Sequence, residues 1–207
     1  MEQLNLPLIN NNKHKLYVDN LDNDINNNLN NIVKRETDGN RLPFLMSLFE
    51  DKNVFYKSYD FSIEDEISRY DGLNNDVIDI IKLGKTYFDK AGLPVDQYTG
   101  RITFTSYVLD NDPISKDSVN IYCDNEEIMG HNCVFYTQKD LDVKNGNLDY
   151  YFNYQSTFCS DNTQLPYKLP IKTNLVTIYD GDLMHTNHNL GGNGIFNYIH
   201  LTLSTPF

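Results

Sequence analysis

The pattern of apolar and polar positions changes near Gly100. Before it, apolar residues recur at intervals of three and four, which is typical of helices that pack one face on a core. After it, apolar and polar residues alternate with a period of two, which is typical of half-buried strands. We therefore predict a mainly helical support region over residues 1–99 and a strand-rich core over residues 100–207.

Two amphipathic helices are predicted in the first region. In residues 19–35 the apolar positions that share one stripe are Ile25, Leu29, Ile32 and Val33. In residues 75–90 they are Val77, Ile80, Ile81, Gly84 and Phe88, and the end of the helix is marked by Gly92 and Pro94. Asn fills most other positions of the first helix, so this helix needs tertiary packing to be stable.

Three further segments of this region carry weaker signals. Residues 15–18 predict an edge strand, and residues 41–50 predict a buried helix or strand. Ser62 is a candidate helix N-cap, because three acidic residues follow it closely and negative charge is favoured in the first turn of a helix.

The second region is a series of short alternating runs separated by turns rich in Asp, Asn, Gly and Pro. Such a series predicts an antiparallel sandwich or barrel. Helices followed by strands predict an α+β fold in which the helices pack on one face of the sheet. The chain carries no internal repeat and no interdomain linker, so we predict a single domain over residues 1–207.

The composition narrows the classes of partner. The 17 basic and 29 acidic residues give a net charge of −12, which opposes binding to the phosphate backbone of nucleic acids. No apolar run approaches the ~20 residues that span a bilayer, and the first residues lack a secretory signal. We therefore expect an intracellular protein that binds neither nucleic acid nor membrane.

Its three cysteines, Cys123, Cys133 and Cys159, are expected to be free thiols. The oligomeric state is left open.

Candidate chemistry concentrates in the stretch from Asn174 to Ser204. It reads as a strand, an acidic turn at residues 180–182, two histidines (His185 and His188), a Gly-rich corner and a second strand. This layout is typical of a small-ligand or metal site at the mouth of a sandwich or barrel. His185 fits a neutral imidazole ligand of iron, zinc or copper. The alternative is that both histidines are polar loop residues at a sheet corner.

Further metal ligands are available near the start of the strand region. The segment that follows Ile121 supplies Asp124, Glu126, Glu127 and His131. Residues at i and i+2 of a strand face the same side and can share one metal ion. Two histidines and one carboxylate form the facial triad of non-haem iron oxygenases. The candidate metal ligands are therefore His185, Asp124 and His131.

The segment from Arg101 to Phe207 resembles the core of Fe(II)/2-oxoglutarate-dependent oxygenases, especially prolyl-hydroxylase-like ones. The resemblance rests on the strand NCVFYTQKDL, on a turn at Gly146-Asn147-Leu148 and on the run LVTIYDGDLMH, which would deliver the distal metal histidine, His185. It implies a double-stranded β-helix, that is, a jelly-roll or cupin-like barrel. It also implies Fe(II) and 2-oxoglutarate as cofactors, and hydroxylation of a protein or small-molecule substrate.

The resemblance also implies a basic residue on the last strand that binds the co-substrate carboxylate. This chain offers Asn197 or His200 there, and Tyr136 is a third candidate for cofactor binding. No Arg or Lys follows Lys172, so the usual bidentate partner of the carboxylate is missing.

The first metal motif departs from the family as well. No His-x-Asp or His-x-Glu occurs in the chain, and Tyr122-Cys123-Asp124 is one of the segments that stand in its place. One hypothesis is a variant metal site that uses His185 with Asp124 or Glu126 and His131. A second is a jelly-roll binding or structural protein without catalysis, for example a viral one. A third is a cupin-type metal enzyme without 2-oxoglutarate, because His185 and Asn189 repeat the spacing of the second cupin motif.

Overall fold

The computed structural model describes residues 2–3, 15–41, 53–63, 72–93, 98–112, 121–122, 130–145, 148–151, 167–181, 183–186 and 190–204. This part of the chain is mostly antiparallel sheet with two helices. In chain order the elements are β1 (Glu2–Gln3), β2 (Leu16–Asn20), α1 (Asn23–Thr37), β3 (Asn53–Ile63), α2 (Asn75–Lys90), β4 (Tyr98–Asp112), β5 (Ile121–Tyr122), β6 (Gly130–Lys139), β7 (Val143–Asn145), β8 (Leu148–Tyr151), β9 (Tyr167–Leu169), β10 (Leu175–Asp180), β11 (Met184–Thr186) and β12 (Leu190–Ser204).

The strands form two sheets. The large sheet has the order β1-β2-β10-β6-β12-β4-β3, with β7 paired on β12, and the small sheet has the order β5-β11-β8-β9. From β4 onwards the chain passes back and forth between them, because β4, β6, β10 and β12 belong to the large sheet and β5, β8 and β11 to the small one. The described strands do not close into a continuous barrel.

Both helices pack on the same face of the large sheet, which we call the helix face. The apolar cluster between them includes Val33 of α1, Phe88 of α2, Phe135 of β6 and Leu201 of β12. The helix α2 lies close to β12, since a Cβ added at Gly84 would clash with Leu201 Cδ2. The prediction that the helices cover one face of the sheet is confirmed.

The opposite face of the large sheet, which we call the interior face, packs against the small sheet. A second apolar cluster joins Val134, Tyr136 and Tyr179 of the large sheet to Tyr150 of the small sheet. The core of the described structure therefore consists of two layers, one on each face of the large sheet.

The helix ends follow local sequence signals. The helix α2 spans the predicted residues 75–90, with the Asn74 side chain accepting from Val77 N at 3.0 Å and with Gly92 at φ 69° beyond its C-cap. The helix α1 differs from its predicted stripe, because Ile25 is 42% exposed while Asn26 is only 4% exposed. Asn26 is buried because its amide donates to the Thr137 carbonyl at 2.9 Å.

A buried carboxylate ties α1 to its neighbours. Glu36 accepts hydrogen bonds from Arg35 (3.0 Å), Lys57 (2.9 Å), Tyr59 (2.7 Å) and Asn74 (3.2 Å). Burial raises the pKa of Glu36, but these four hydrogen bonds outweigh it and lower the pKa to about 2. Because the donors lie on α1, on β3 and at the N-cap of α2, Glu36 links three elements.

Two predictions for the first region were wrong. Ser62 is not a helix N-cap, because it lies in β3, which pairs with β4 from Asn53 to Ile63. Residues 15–18 lie in or beside β2, which is not an edge strand, because it has β1 on one side and β10 on the other. The segment 42–50 lies outside the described residues. The single domain over residues 1–207 stays a prediction.

The expectations about membrane-spanning segments and about the cysteines can be compared with the structure. None of the described helices is both long enough and apolar enough to cross a membrane. Cys133 is a free, fully buried cysteine, and burial raises the pKa of its thiol. Cys123 and Cys159 lie outside the described residues.

Candidate functional site

The turn between β10 and β11 positions His185. Leu183 N donates to the Asp180 carbonyl at 3.0 Å, and Gly181 N donates to the Gly130 carbonyl at 2.8 Å, which ties the turn to the start of β6. The Leu183 carbonyl lies 2.9 Å from His185 Nδ1. Since a carbonyl oxygen only accepts, Nδ1 carries the proton, and Nε2 is the ring nitrogen through which a metal would bind.

The surroundings of His185 are apolar and aromatic. Its side chain is 2% exposed, and its ring lies 5.2 Å from the ring of Tyr179 and 5.9 Å from that of Tyr150. On the small sheet, His185 is the Cα partner of Tyr122 on β5 and of Tyr150 on β8. A buried imidazole with one nitrogen bonded to a backbone carbonyl is the usual arrangement of a metal-binding histidine.

His131 lies on the other side of the large sheet. Its ring is 6.2 Å from the ring of Phe88 on α2, and its Nδ1 is 3.5 Å from Asp180 Oδ1. Both contacts are on the helix face, whereas His185 contacts Tyr179 on the interior face. The structure therefore does not bring His131 and His185 together, because the large sheet separates them.

The remaining predicted ligand, Asp124, lies outside the described residues. Within the ranges that the structure describes, no three His, Cys, Asp or Glu side chains form a group that could hold a metal ion. Asp124 is two residues beyond Tyr122, the partner of His185 on β5. The segment that carries Asp124 thus begins beside His185.

The three predicted cofactor-binding residues divide between the two faces. Tyr136 and His200 lie on the interior face, where Tyr136 packs against Tyr198 at a ring distance of 6.1 Å. Asn197 lies on the helix face, where its amide donates to Asn30 Oδ1 at 2.9 Å. Asn197 cannot therefore serve the same ligand as Tyr136 and His200.

A row of polar side chains crosses the interior face beside His200. Asn132 Oδ1 is 2.9 Å from His200 Nε2, which is 3.3 Å from Thr202 Oγ1. Thr202 is the Cα partner of Asn132 on one side and of Arg101 on the other. Arg101 is 58% exposed and donates from Nε to Asp60 Oδ1 at 2.7 Å. We call Arg101, Thr202, His200 and Asn132 the polar row.

Sequence reasoning missed most of this row. Of its four residues, only His200 was predicted to belong to a site. The signal that could have found Asn132 is the alternation of its strand, because Asn132, Val134 and Tyr136 are two residues apart and share a face. The pairing of Asn132 with β12 could not be read from spacing.

An aromatic wall adjoins the polar row. Tyr107, Tyr136, Phe196 and Tyr198 pack together on the interior face, with ring centroids 5.9 to 6.3 Å apart in the contacting pairs. Tyr107 and Tyr198 are stacked at an interplanar angle of 23°. The wall is aromatic and mostly buried, with Tyr198 partly exposed, so it can shield a ligand from water but supplies no charge.

No family model and no curated protein matches the chain. Several solved structures do match. A prolyl-4-hydroxylase from Pseudomonas putida is 10% identical with a TM-score of 0.52, over 94% of each chain. A 2OG-Fe(II) oxygenase family oxidoreductase from Burkholderia pseudomallei is 11% identical with a TM-score of 0.54, over 85% of this chain and 78% of that one.

HygX from Streptomyces hygroscopicus, solved with nickel and 2-oxoglutarate bound, is also similar. It is 8% identical with a TM-score of 0.52, over 93% of this chain and 83% of that one. At such identities the likeness is one of fold alone. The chain is therefore similar in fold to 2OG-Fe(II) oxygenases, with a mostly antiparallel sheet and two helices, and the predicted fold class is confirmed to that extent. The double-stranded β-helix topology stays a prediction.

Proposed function

We propose that the chain is a metal-dependent oxygenase of the Fe(II)/2-oxoglutarate class, built on a double-stranded β-helix, which hydroxylates a small molecule or a protein side chain. The passage of successive strands between the two sheets supports this topology. The observation that carries the proposal is His185. It is buried between the sheets, and the Leu183 carbonyl fixes its ring with Nε2 as the lone-pair nitrogen.

His185 and Asp124 are the proposed metal ligands. His185 fits the role through its tautomer and its aromatic surroundings. Asp124 fits it because β5 pairs with β11 at His185, and Asp124 follows β5 closely. His131 is left out of the set because its contacts lie on the helix face.

Bound Fe(II) and 2-oxoglutarate would supply the redox chemistry, in which O2 and 2-oxoglutarate yield succinate, CO2 and a hydroxylated substrate. The chain's own residues bind, orient and exclude water. The rings of Tyr150 and Tyr179 cover the His185 imidazole. His200 and Tyr136 are the proposed co-substrate contacts, since both lie on the interior face.

Anaerobic titration of the metal-stripped protein with Fe(II) and 2-oxoglutarate tests this proposal. We expect a metal-to-ligand charge-transfer absorbance band that requires both additions and is lost in His185→Ala. His131→Ala is the matched control, because it removes a histidine from the opposite face, and it should keep the band. Circular dichroism checks that both variants are folded.

The outcomes are distinct. No band in the wild-type protein, or a band that survives in folded His185→Ala, would contradict the proposal. Loss of the band in His131→Ala alone would mean that the metal binds on the helix face. No band and no retained metal would favour a binding or structural protein on the same fold.

A further inference from the structure

We propose that Asp180 is a positioning residue for His185, so that a carboxylate on the helix face sets the tautomer and orientation of a ring on the interior face. Asp180 is the last residue of β10, and the turn that follows it leads to β11, which carries His185. This role rests on the proposed function, in which His185 binds the metal through Nε2.

The backbone beside the start of β2 holds the Asp180 carboxylate. Asp180 Oδ2 accepts from Lys15 N at 2.7 Å, and Asp180 N donates to the Lys15 carbonyl at 3.4 Å. Hydrogen bonds to a carboxylate are short and about twice as strong as those between neutral groups. From Lys15 the chain continues into β2, which pairs with β10 from Leu16 opposite Tyr179 onwards. This pairing keeps Lys15 beside the end of β10.

The turn is also attached to β6, on the other side of β10. Gly181 N donates to the Gly130 carbonyl at 2.8 Å, and Asp180 is the Cα partner of His131. His131 Nδ1 is 3.5 Å from Asp180 Oδ1, which is too long for a strong hydrogen bond. Lys15 N is therefore the stronger partner of the carboxylate, and the turn is held from both neighbouring strands.

The turn transmits this attachment to His185. The Asp180 carbonyl accepts from Leu183 N at 3.0 Å, and the Leu183 carbonyl in turn lies 2.9 Å from His185 Nδ1. Displacement of the Leu183 carbonyl would remove the reason for the proton to stay on Nδ1. The proton could then move to Nε2 and block the nitrogen that the metal requires.

The surroundings of the ring make this acceptor hard to replace. His185 is buried, and the rings of Tyr150 and Tyr179 lie against it. Water therefore does not readily take the place of the Leu183 carbonyl. Groups that fix a metal-binding histidine in this way typically contribute a factor of about 10 to 100 in metal affinity.

The first test is nitrogen-15 NMR of the His185 imidazole in the metal-free protein, because the chemical shifts of the two ring nitrogens distinguish the tautomers. We expect the wild-type ring to carry its proton on Nδ1. In Asp180→Ala we expect a measurable population of the ring with its proton on Nε2. A purely structural role of Asp180 would lower stability without changing the tautomer.

The second test is titration of the same proteins with Fe(II) alone. Asp180→Ala should bind Fe(II) at least about tenfold more weakly than the wild type. Asp180→Asn should restore both the tautomer and most of the affinity, because its amide oxygen can still accept from Lys15 N. His131→Ala is the control, since it removes the distant partner of the carboxylate and should leave both readouts unchanged.

Circular dichroism checks that the variants are folded. If Asp180→Ala does not fold, Asp180→Ser replaces it, because the serine hydroxyl ends one bond short of the position of Asp180 Oδ2. An unchanged tautomer and an unchanged Fe(II) affinity in the folded variant would overturn the proposal. Equal losses in Asp180→Asn and Asp180→Ala would also contradict it, since the bond to Lys15 would then not be the cause.

Failure of this proposal is distinguishable from failure of the proposed function. The absence of a charge-transfer band in the wild-type protein would contradict the oxygenase proposal, whereas the tautomer is measured without any metal. A shift of the tautomer in Asp180→Ala would then still establish that Asp180 positions His185.

Discussion

Buried polar groups on the two faces of the large sheet differ in their hydrogen bonding. On the helix face, Glu36 accepts four side-chain hydrogen bonds, and the Asn26 and Asn197 amides both donate. Two buried atoms on this face that lack a partner among the described residues, Asn26 Oδ1 and Asn197 Oδ1, are carbonyl oxygens. On the interior face, Asn132 Nδ2 and Thr177 Oγ1, an amide and a hydroxyl donor, are without a partner among the described residues.

This difference separates a structural role from a binding role for the same residue types. An under-satisfied carbonyl has two lone pairs and is tolerated more often than a buried N–H without an acceptor. The helix-face groups join α1 and α2 to the sheet. The interior-face donors lie on the face that packs against the small sheet, and they have no acceptor among the described residues. Side-chain chemistry alone does not distinguish these roles, whereas the bonding of each atom does.

The largest effect is expected on the helix face, at Glu36. Its side chain is 4% exposed and accepts from donors on three elements. Glu36→Ala should lower the free energy of unfolding by about 2–4 kcal/mol, because it leaves Lys57 and Tyr59 without their acceptor. Urea denaturation measures this change.

The control for Glu36 is an exposed carboxylate on the second helix. Asp79 is 73% exposed and lies 3.7 Å from Lys82. Asp79→Ala should change the free energy of unfolding by no more than about 0.5 kcal/mol. Equal effects of the two substitutions would mean that burial of Glu36 contributes nothing.

The second prediction concerns acid. The pKa of Glu36 is lowered from 4.5 to about 2, so the unfolded chain binds this proton more readily than the folded chain. The stabilisation is complete above pH 4.5 and is lost as the pH falls towards 2. Its size is on the order of 3 kcal/mol.

Other carboxylates titrate in the same pH window, so the prediction is a difference between two proteins. The fall in stability between pH 4.5 and about 2 should be shallower in Glu36→Gln than in the wild type. Parallel pH profiles would contradict the lowered pKa. Thermal unfolding in a pH series provides the measurement.

Local signals predicted the local features of the fold. Helix α2 begins and ends as predicted because Asn74 and Gly92 act within one turn of its ends. The period of two predicted the antiparallel sheet. The strand β3 was not predicted, because the acidic residues after Ser62 match the pattern of a helix N-terminus. Its structure is determined instead by pairing with β4, which lies far away in the sequence.

The site was less predictable, because it depends on which face each strand presents. Asn197 and His200 have opposite parity along β12, so alternation already separates them. His131 and His185 belong to different sheets, and no spacing rule relates them. The pairing of β12 with β6 also shifts its register between Asn197 and Tyr198, so the alternation of the two faces is interrupted there. Nothing in the sequence indicates this shift.

The smallest predicted effect compares one substitution on the two faces. Asn197 and Asn132 are both fully buried in the large sheet. Asn197→Leu removes a donor to Asn30 and Gln138 and should cost about 1–3 kcal/mol of unfolding free energy. Asn132→Leu removes an unpaired donor along with the bond to His200, so the two terms offset and the cost should stay below about 1 kcal/mol.

Urea denaturation of both variants, without added ligand, measures the comparison. A cost for Asn132→Leu equal to that for Asn197→Leu would mean that the Asn132 amide already has an acceptor in the free protein, and the interior face would then resemble the helix face. A smaller cost would mean that the free protein carries an unfavourable donor that binding can satisfy.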